Sequence, residues 1–333
     1  MRRVVTRRTC WRLVKYVTSL TLILVIVRIY RTATLTLFEP KLIEISVTAA
    51  VTDNTDLVDS NVIAFRGSLI SSSDQLADFA TDISRCVTAN VGGMTFPICL
   101  YRETEDVRMS KSFIRGNYWE RERVERFIRL LRRYPDVDFV DLTANIGTFT
   151  LPAAHFTHVV AVEPYVRSMA RLFKSIQLGG VENNVSLVLN AISNERSTST
   201  LGFHPNNVGG TFLKAANTSD CVGGSCTQTI LLHDLLPLMR RPRAVIKADV
   251  EAHQTQVFTN STAAKFFDQI DVPLIYMEWN LCRGQNTSLE VQHLIRFFSE
   301  RQYVLFSENN RRLRSDCRQW SENVFFTKKS LEF

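Results

Sequence analysis

The sequence has no acidic residue before Glu39, no pair of close-spaced cysteine doublets, no G-x-G-x-x-G run and no internal repeat. Without the doublets a zinc ribbon or finger is excluded, since Cys221 and Cys226 are the only near neighbours among the seven cysteines. Without the glycine run, no turn can be assigned to a dinucleotide on glycines alone. There is no RNA- or DNA-binding motif, and charge offers no substitute for one. Six basic residues, Arg2, Arg3, Arg7, Arg8, Arg12 and Lys15, lie in the first fifteen positions, and setting them aside takes the net charge from +7 to +1. No nucleic-acid partner is therefore expected.

What is present is globular. In 333 residues, 45% are apolar and 22% charged, enough for a large core in one α/β catalytic domain behind an N-terminal extension. After the basic tail, residues 1–15, Tyr16 to Val27 reads YVTSLTLILVIV and is uncharged, reaching Tyr30 if Lys15 and Arg28 snorkel to the interfaces. Its length falls between a signal-peptide core and a full membrane helix of roughly 17–25 residues. The following RIYRTATLTLFEP has no clear small-x-small cleavage site, so a retained signal anchor over residues 16–30 is expected, with a cytosolic tail and a luminal catalytic domain. The expectation is a single-pass type II membrane protein of the endoplasmic reticulum or Golgi. Mitochondrial presequences are also Arg-rich and acid-poor, but they are usually amphipathic rather than continuously apolar. Four N-x-S/T sequons, at Asn184, Asn217, Asn260 and Asn286, favour the lumen, as does the even number of cysteines beyond Cys10. Sequential pairing would join Cys86 to Cys99, Cys221 to Cys226 and Cys282 to Cys317, one of fifteen formal connectivities; buried free thiols are the alternative.

Residues 31–83 are rich in Ser, Thr and Asp and read as a stem with accessory structure, leaving residues 84–333 for the catalytic domain. In WERERVERFIRLLRRYP, Val124, Phe127, Ile128, Leu130 and Leu131 fall at helical spacing, and the helix ends before Pro135. Strands are predicted at Phe139–Leu142, Val159–Val162, Val185–Leu189, Ala244–Ala248, Leu274–Met277, Tyr303–Phe306 and Val324–Thr327, with helices at Tyr165–Leu178 and near Leu289–Glu300. Strands separated by helices predict an α/β fold with a doubly wound, Rossmann-like sheet of seven strands. The last two strands lack a crossover helix and predict an antiparallel edge.

The informative stretch is DFVDLTANIGTFTLPAAHFTHVVAVEPY. One strand ends in Asp141, a tight turn contains Gly147, and the next strand ends in Glu163, an acid placed to accept both hydroxyls of a ribose. Read with the later NAIS and IKADVEA, this stretch resembles the FkbM family of S-adenosylmethionine-dependent O-methyltransferases over roughly Trp119 to Thr327. The first motif of that family usually reads D-x-G-A-N-x-G; Asp141, Ala144, Asn145 and Gly147 match, and Thr143 does not. The resemblance implies S-adenosylmethionine as cofactor, its methionine part over this turn, its ribose on Glu163 and its adenine near Asn190 and Ala191. Glu120, in GNYWERE, matches a position beside the cofactor, although a solvated first-turn acid explains it equally well. A K-x-D-x-E-G motif is carried by Lys247, Asp249 and Glu251, with Ala252 in place of glycine. The two departures put a β-branched side chain and a Cβ where glycine allows positive φ and close approach, and they open the alternative of an inactive relative that serves as a binding module.

Methyl transfer from a sulfonium needs an aligned oxygen and a proton acceptor. If the strand runs through KADVEAH, then Asp249, Glu251 and His253 alternate onto one face at its carboxyl end and are the catalytic candidates; if it stops at Asp249, His253 is a loop residue. No metal site is expected. Glu278 and Trp279 end another strand on the same edge and either line the acceptor site or, for the aromatic, pack in the core. His204 to Thr211, HPNNVGGT, either covers the acceptor or makes a turn. The acceptor is expected to be a glycan or another small molecule with a hydroxyl. Asp136-Val137-Asp138 fits the metal-binding DxD of Golgi glycosyltransferases, but it enters its strand on the side of the sheet away from ligands.

Overall fold

The computed structural model describes residues 64–66, 83, 85–214, 225–258, 261–282, 288–314 and 316–328, all within a single compact unit, Val51–Phe333. In chain order the elements are β1 (Ala64–Arg66), β2 (Cys86–Val91), β3 (Met94–Cys99), α1 (Met109–Ile114), α2 (Arg121–Leu131), β4 (Asp138–Asp141), α3 (Thr150–Ala153), β5 (Val159–Val162), α4 (Val166–Gly179), β6 (Val185–Val188) and β7 (Ala191–Ile192). They continue with β8 (Thr198–His204), β9 (Asn207–Lys214), β10 (Cys226–Ile230), β11 (Arg243–Ala248), α5 (Gln254–Phe258), α6 (Ser261–Gln269), β12 (Asp271–Glu278), α7 (Leu289–Glu300), β13 (Tyr303–Ser307) and β14 (Asn323–Lys328).

The main sheet runs β1-β6-β5-β4-β11-β12-β14-β13. Strands β6, β5, β4, β11 and β12 are mutually parallel, and β14 lies antiparallel between β12 and β13, so the predicted seven strands and their antiparallel edge are present. An eighth strand, β1, pairs antiparallel with β6 and comes from the region read as stem. The strands are short apolar runs because both faces are covered. Along β4 and β5, Phe139 and Val159 face one core with Phe127 of α2 and Leu172 of α4, while Val140 and Val160 face the other with Phe258, Phe266 and Phe298 of α5, α6 and α7. Burying each such aromatic contributes about 1.5–3 kcal/mol. All five apolar residues expected to form the inner face of α2 are buried.

A second sheet, β7-β10-β8-β9, was not legible as strands; it folds over the carboxyl edge of the main sheet and matters for the site. The Cys86–Cys99 and Cys282–Cys317 bonds are formed, the first across the β2–β3 hairpin, and Cys226 is also disulfide-bonded. Of the sequons, only Asn184 lies within the described residues. Its Nδ2 donates to the Ala154 carbonyl at 2.8 Å, and Ser186 is buried 3.1 Å from His158 Nε2, which closes this sequon in the folded chain.

One expectation is corrected. No helix among the described residues is long and apolar enough to cross a membrane, so the type II anchor and the luminal placement built on it are withdrawn; Tyr16–Tyr30 itself lies outside the described residues.

Candidate functional site

At the carboxyl ends of β4, β5, β11 and β12 lies a cavity of about 320 Å³, within the usual range for small-molecule sites. Open α/β sheets place ligands on this edge, because crossover loops splay apart there. The turn after β4 forms the floor. Asn145 takes φ 50° and Gly147 φ 100°, and a Cβ at Gly147 would come within 2.6 Å of Leu172 Cδ1, so glycine is required at that position.

Glu163 directly follows β5, is 4% exposed and borders the cavity. Its Oε2 accepts from the Asn145 N–H at 2.8 Å and its Oε1 from the Tyr165 N–H at 2.9 Å. Burial lifts its carboxyl to about 7 despite both bonds. A carboxylate has roughly four acceptor positions, so two remain for a ligand. Asp141 behaves differently: it is fully buried beneath the cavity, accepting from Thr150 Oγ1 at 2.8 Å and from Lys247 Nζ at 3.2 Å, and does not line it. Ala144 and Gly147 likewise shape the turn without reaching the cavity wall. Burial opposes charge on Lys247, but Asp141, Asp249 and Glu120 outweigh it and hold the ammonium above its ordinary range.

Thr143 lines this cavity and also a smaller one of about 30 Å³, whose walls include Asn190, Ala191, Phe212, Leu213 and His253. Asn190 is buried and donates to the Gln228 carbonyl at 3.1 Å.

The three catalytic candidates do not converge. β11 ends at Ala248, and the chain turns through consecutive positive φ values at Glu251 (46°) and Ala252 (66°), closed by the His253 N–H to the Val250 carbonyl at 3.0 Å. Asp249 and Glu251 therefore face the large cavity, while His253 is carried to the small one, 2.9 Å from Ser193 Oγ, where burial lowers its pKa. The strand has already stopped at Ala248, and the left-handed pair that follows cannot rejoin a ladder. His253 is a partly buried loop residue rather than the third member of a cluster.

The wall formed by the ends of β11 and β12 and the start of α2 is rich in carboxylates. Ala248 and Met277 are register partners, so Asp249 and Glu278 stand side by side at the ends of adjacent strands. Burial first, then Asp249, pushes Glu278 up to about 9; burial and Asp249 push Glu251 to about 7. Glu120 takes φ 50° at the start of α2, lines the cavity and is raised by burial. It is bonded to Arg123 at 2.5 Å, and Arg123 also reaches Glu308 at 3.1 Å and Glu322 at 2.9 Å. Trp279 does not line the site; it is buried against Trp320, with ring centroids 4.6 Å apart.

Several lining residues were missed in the sequence. Trp119 stands directly before Glu120, and Phe149 lies in the first turn, so both were near a motif without carrying one. Glu322 and Asn323 arrive because β14 is antiparallel to β12, which brings its amino end to the carboxyl edge; no local signal marks them. Asn207 to Thr211 of β9 form the roof, and the tip of that hairpin is fastened by a bridge between Asp106 and Asn207 and by the Val107 N–H to the Asn206 carbonyl at 2.9 Å. HPNNVGGT is thus both a turn and a cover. At the opposite end of the sheet, Asp138 of the DxD tripeptide is buried, paired with Arg241 at 3.1 Å and bonded to the N–H groups of Arg240 and Arg241, far from this edge.

No family model matches the chain, and no curated protein matches it. Among solved structures it is similar to a T. thermophilus 16S rRNA N2 G1207 methyltransferase in complex with AdoMet and guanosine, at 15% identity and TM-score 0.34, covering 74% of this chain and 50% of that one. It is similar to an O-methyltransferase from Bacillus cereus in complex with SAH, at 12% identity and TM-score 0.33, covering 61% and 80%. A putative caffeoyl-CoA O-methyltransferase from Staphylococcus aureus gives 11% identity and TM-score 0.34, covering 66% and 88%. The chain spans half the length of the first of these. Likenesses at TM-scores of 0.33 and 0.34 carry no argument for chemistry, which stands on the cavity itself.

Proposed function

We propose that this chain binds S-adenosylmethionine at the carboxyl edge of its sheet and transfers the methyl group to a hydroxyl of a polar acceptor, a glycan or another polyhydroxylated molecule. The observation that carries the proposal is Glu163, a buried carboxylate fixed by the backbone of the cofactor turn on one side and open to the cavity on the other. That disposition suits two ribose hydroxyls. The resemblance of DLTANIG, VVAVEP, NAIS and IKADVEA to FkbM methyltransferases supports the same reading.

The residues present fit the cofactor in part. The large cavity has room for its methionine and ribose portions beside Asn145 and Glu163. The small cavity, bordered by Asn190 and Ala191, holds little more than a water or two at about 30 Å³, so seating an adenine requires the β9 wall of Phe212 and Leu213 to give way. When bound, the cofactor supplies an activated methyl group on a sulfonium. Glu251 takes the proton of the acceptor hydroxyl: it borders the cavity, and a carboxyl near 7 is half ionised at neutral pH and well matched to that task. Asp249 and Glu278 accept and donate hydrogen bonds to neighbouring hydroxyls, and Trp119 and Phe149 offer apolar surface for a ring face. This combination favours a sugar-like acceptor over an anionic one.

The test is calorimetric titration of the chain with S-adenosylmethionine, beside Glu163→Ala. Micromolar binding that the variant loses upholds the reading. A second reading, a binding module without catalysis, is favoured by the narrow adenine end, and absence of binding by a folded sample selects it.

A further inference from the structure

Thr143 is where this chain departs from the glycine of the motif it resembles, and its side chain is bonded. Thr143 Oγ1 donates to the backbone carbonyl of Asp249, and the Thr143 carbonyl accepts from Lys247 Nζ at 3.1 Å. Two bonds therefore stitch the turn after β4 to the exit of β11, and a glycine at this position could supply only one of them. Lys247 is anchored in turn on Asp141 at 3.2 Å and lies 4.0 Å from Asp249 Oδ2. Beyond Ala248 no ladder holds the chain, and it passes straight into the strained Glu251-Ala252 turn. The Thr143 hydroxyl is thus a principal fastening of the segment that aims Asp249 and Glu251 into the cavity. Thr143, Pro164 and Thr211 are also the residues common to the two cavities, so Thr143 stands at the joint between them.

We propose that Thr143 is a positioning residue that couples the turn carrying the cofactor to the Asp249–Glu251 segment facing the acceptor. The proposal rests on the cofactor reading above. Its consequence is that cofactor binding is felt by the acceptor-side carboxyls. A sulfonium held in the cavity favours the carboxylate forms of Glu251 and Glu278, which are partly protonated at pH 7.5, so binding releases protons. Asp249, whose carbonyl takes the Thr143 hydroxyl, faces these two carboxyls as well. The other charges facing the cavity are Glu120 and Arg123 of the α2 region, Arg108 before α1, Glu163 after β5, Lys247 of β11 and Glu322 before β14, and none of these touches the Thr143 hydroxyl, so they are common to wild type and variants.

The experiment titrates the full chain with S-adenosylmethionine at pH 7.5 in buffers of different ionisation enthalpy, which gives affinity and protons released together. Thr143→Val keeps the volume and removes the donor. It is expected to weaken binding about fivefold, the scale of one neutral hydrogen bond, and to cut the proton release to less than half. Thr143→Ser is expected to restore both. If Thr143→Val is unfolded by circular dichroism, Thr143→Ala takes its place with the same expectation. Wild-type proton release in the donor-free variant, or failure of serine to restore it, overturns the proposal. No binding by the folded wild type overturns the cofactor reading instead.

Discussion

Gly147→Ala tests the geometry of the turn directly. Gly147 takes φ 100°, and a Cβ built on it meets Leu172 Cδ1 at 2.6 Å and Leu151 Cγ at 2.9 Å. Both leucines are buried, Leu172 on α4 and Leu151 on α3, so neither end can swing into solvent. The left-handed conformation costs alanine about 1–2 kcal/mol. Forcing a methyl into packed neighbours costs about 1–3 kcal/mol more. Reduced freedom of the unfolded chain returns about 0.4–1 kcal/mol. The net loss is about 2–4 kcal/mol, read as a lower midpoint in equilibrium urea unfolding with an unchanged slope. In a thermal scan of a unit this size the same loss lowers the midpoint by roughly 4–8 °C. A loss under about 1 kcal/mol with the same slope would mean that α3 and α4 yield around the turn, and the claim that glycine is required there would fall.

Ala252→Gly is the opposite case: at φ 66° it relieves strain and is expected to add about 0.5–1 kcal/mol, and a lowered unfolding midpoint counts against it. The raised carboxyls of Glu163, Glu251 and Glu278 keep protons in the folded chain that the unfolded chain has already lost, so stability falls as pH rises from about 5 through 9 and is greatest on the acid side of that window. Glu278→Gln is expected to flatten the decline above pH 7, checked by urea midpoints at pH 6, 8 and 9. Affinity for S-adenosylmethionine is expected to rise as pH climbs through about 7, where Glu163 becomes the better acceptor, and Glu163→Gln reduces that rise to the part carried by Glu251 and Glu278; calorimetry at pH 6 and 8 decides. Because the adenine end is too narrow as it stands, the amides of Phe212 and Leu213 are expected to change their hydrogen exchange on cofactor binding, and unchanged exchange in a saturated sample refutes the moving wall.

The parallel strands were legible because burial on both faces leaves β5 as an unbroken apolar run, VVAV, and β4 and β6 as short apolar stretches, DFVD and VSLV, and α2 was legible because its inner residues recur at 3.6. The second sheet was not. In β8 and β9, TSTLGFH and NVGGTFLK carry glycines, polar residues and no alternation, since their partner is a roof over a cavity rather than a core. β1 was hidden because three residues at an edge set no period. The same contrast holds in the site. Glu163 and Asn145 sit inside a contiguous motif and were found; Arg123, Glu322 and Asn323 come together only through the antiparallel insertion of β14, which no local spacing encodes.

The two departures from the resembled motifs show most clearly what a linear pattern withholds. Thr143 and Ala252 are more than a hundred positions apart, and in the sequence each reads as a glycine lost. In the fold they bracket one junction, where the Thr143 hydroxyl holds the Asp249 carbonyl and Ala252 completes the turn that follows. A hydroxyl gained on the β4 turn fastens a segment that a left-handed alanine strains. A double-mutant cycle separates compensation from coincidence: if the threonine offsets the alanine, Thr143→Val destabilises more in the wild-type background than with Ala252→Gly, by about 0.5 kcal/mol or more, because contacting residues of one network are not additive. Equal losses in both backgrounds would make the two departures independent, and the junction would then owe its order to Lys247 and its bonds to Asp141 and Thr143 alone.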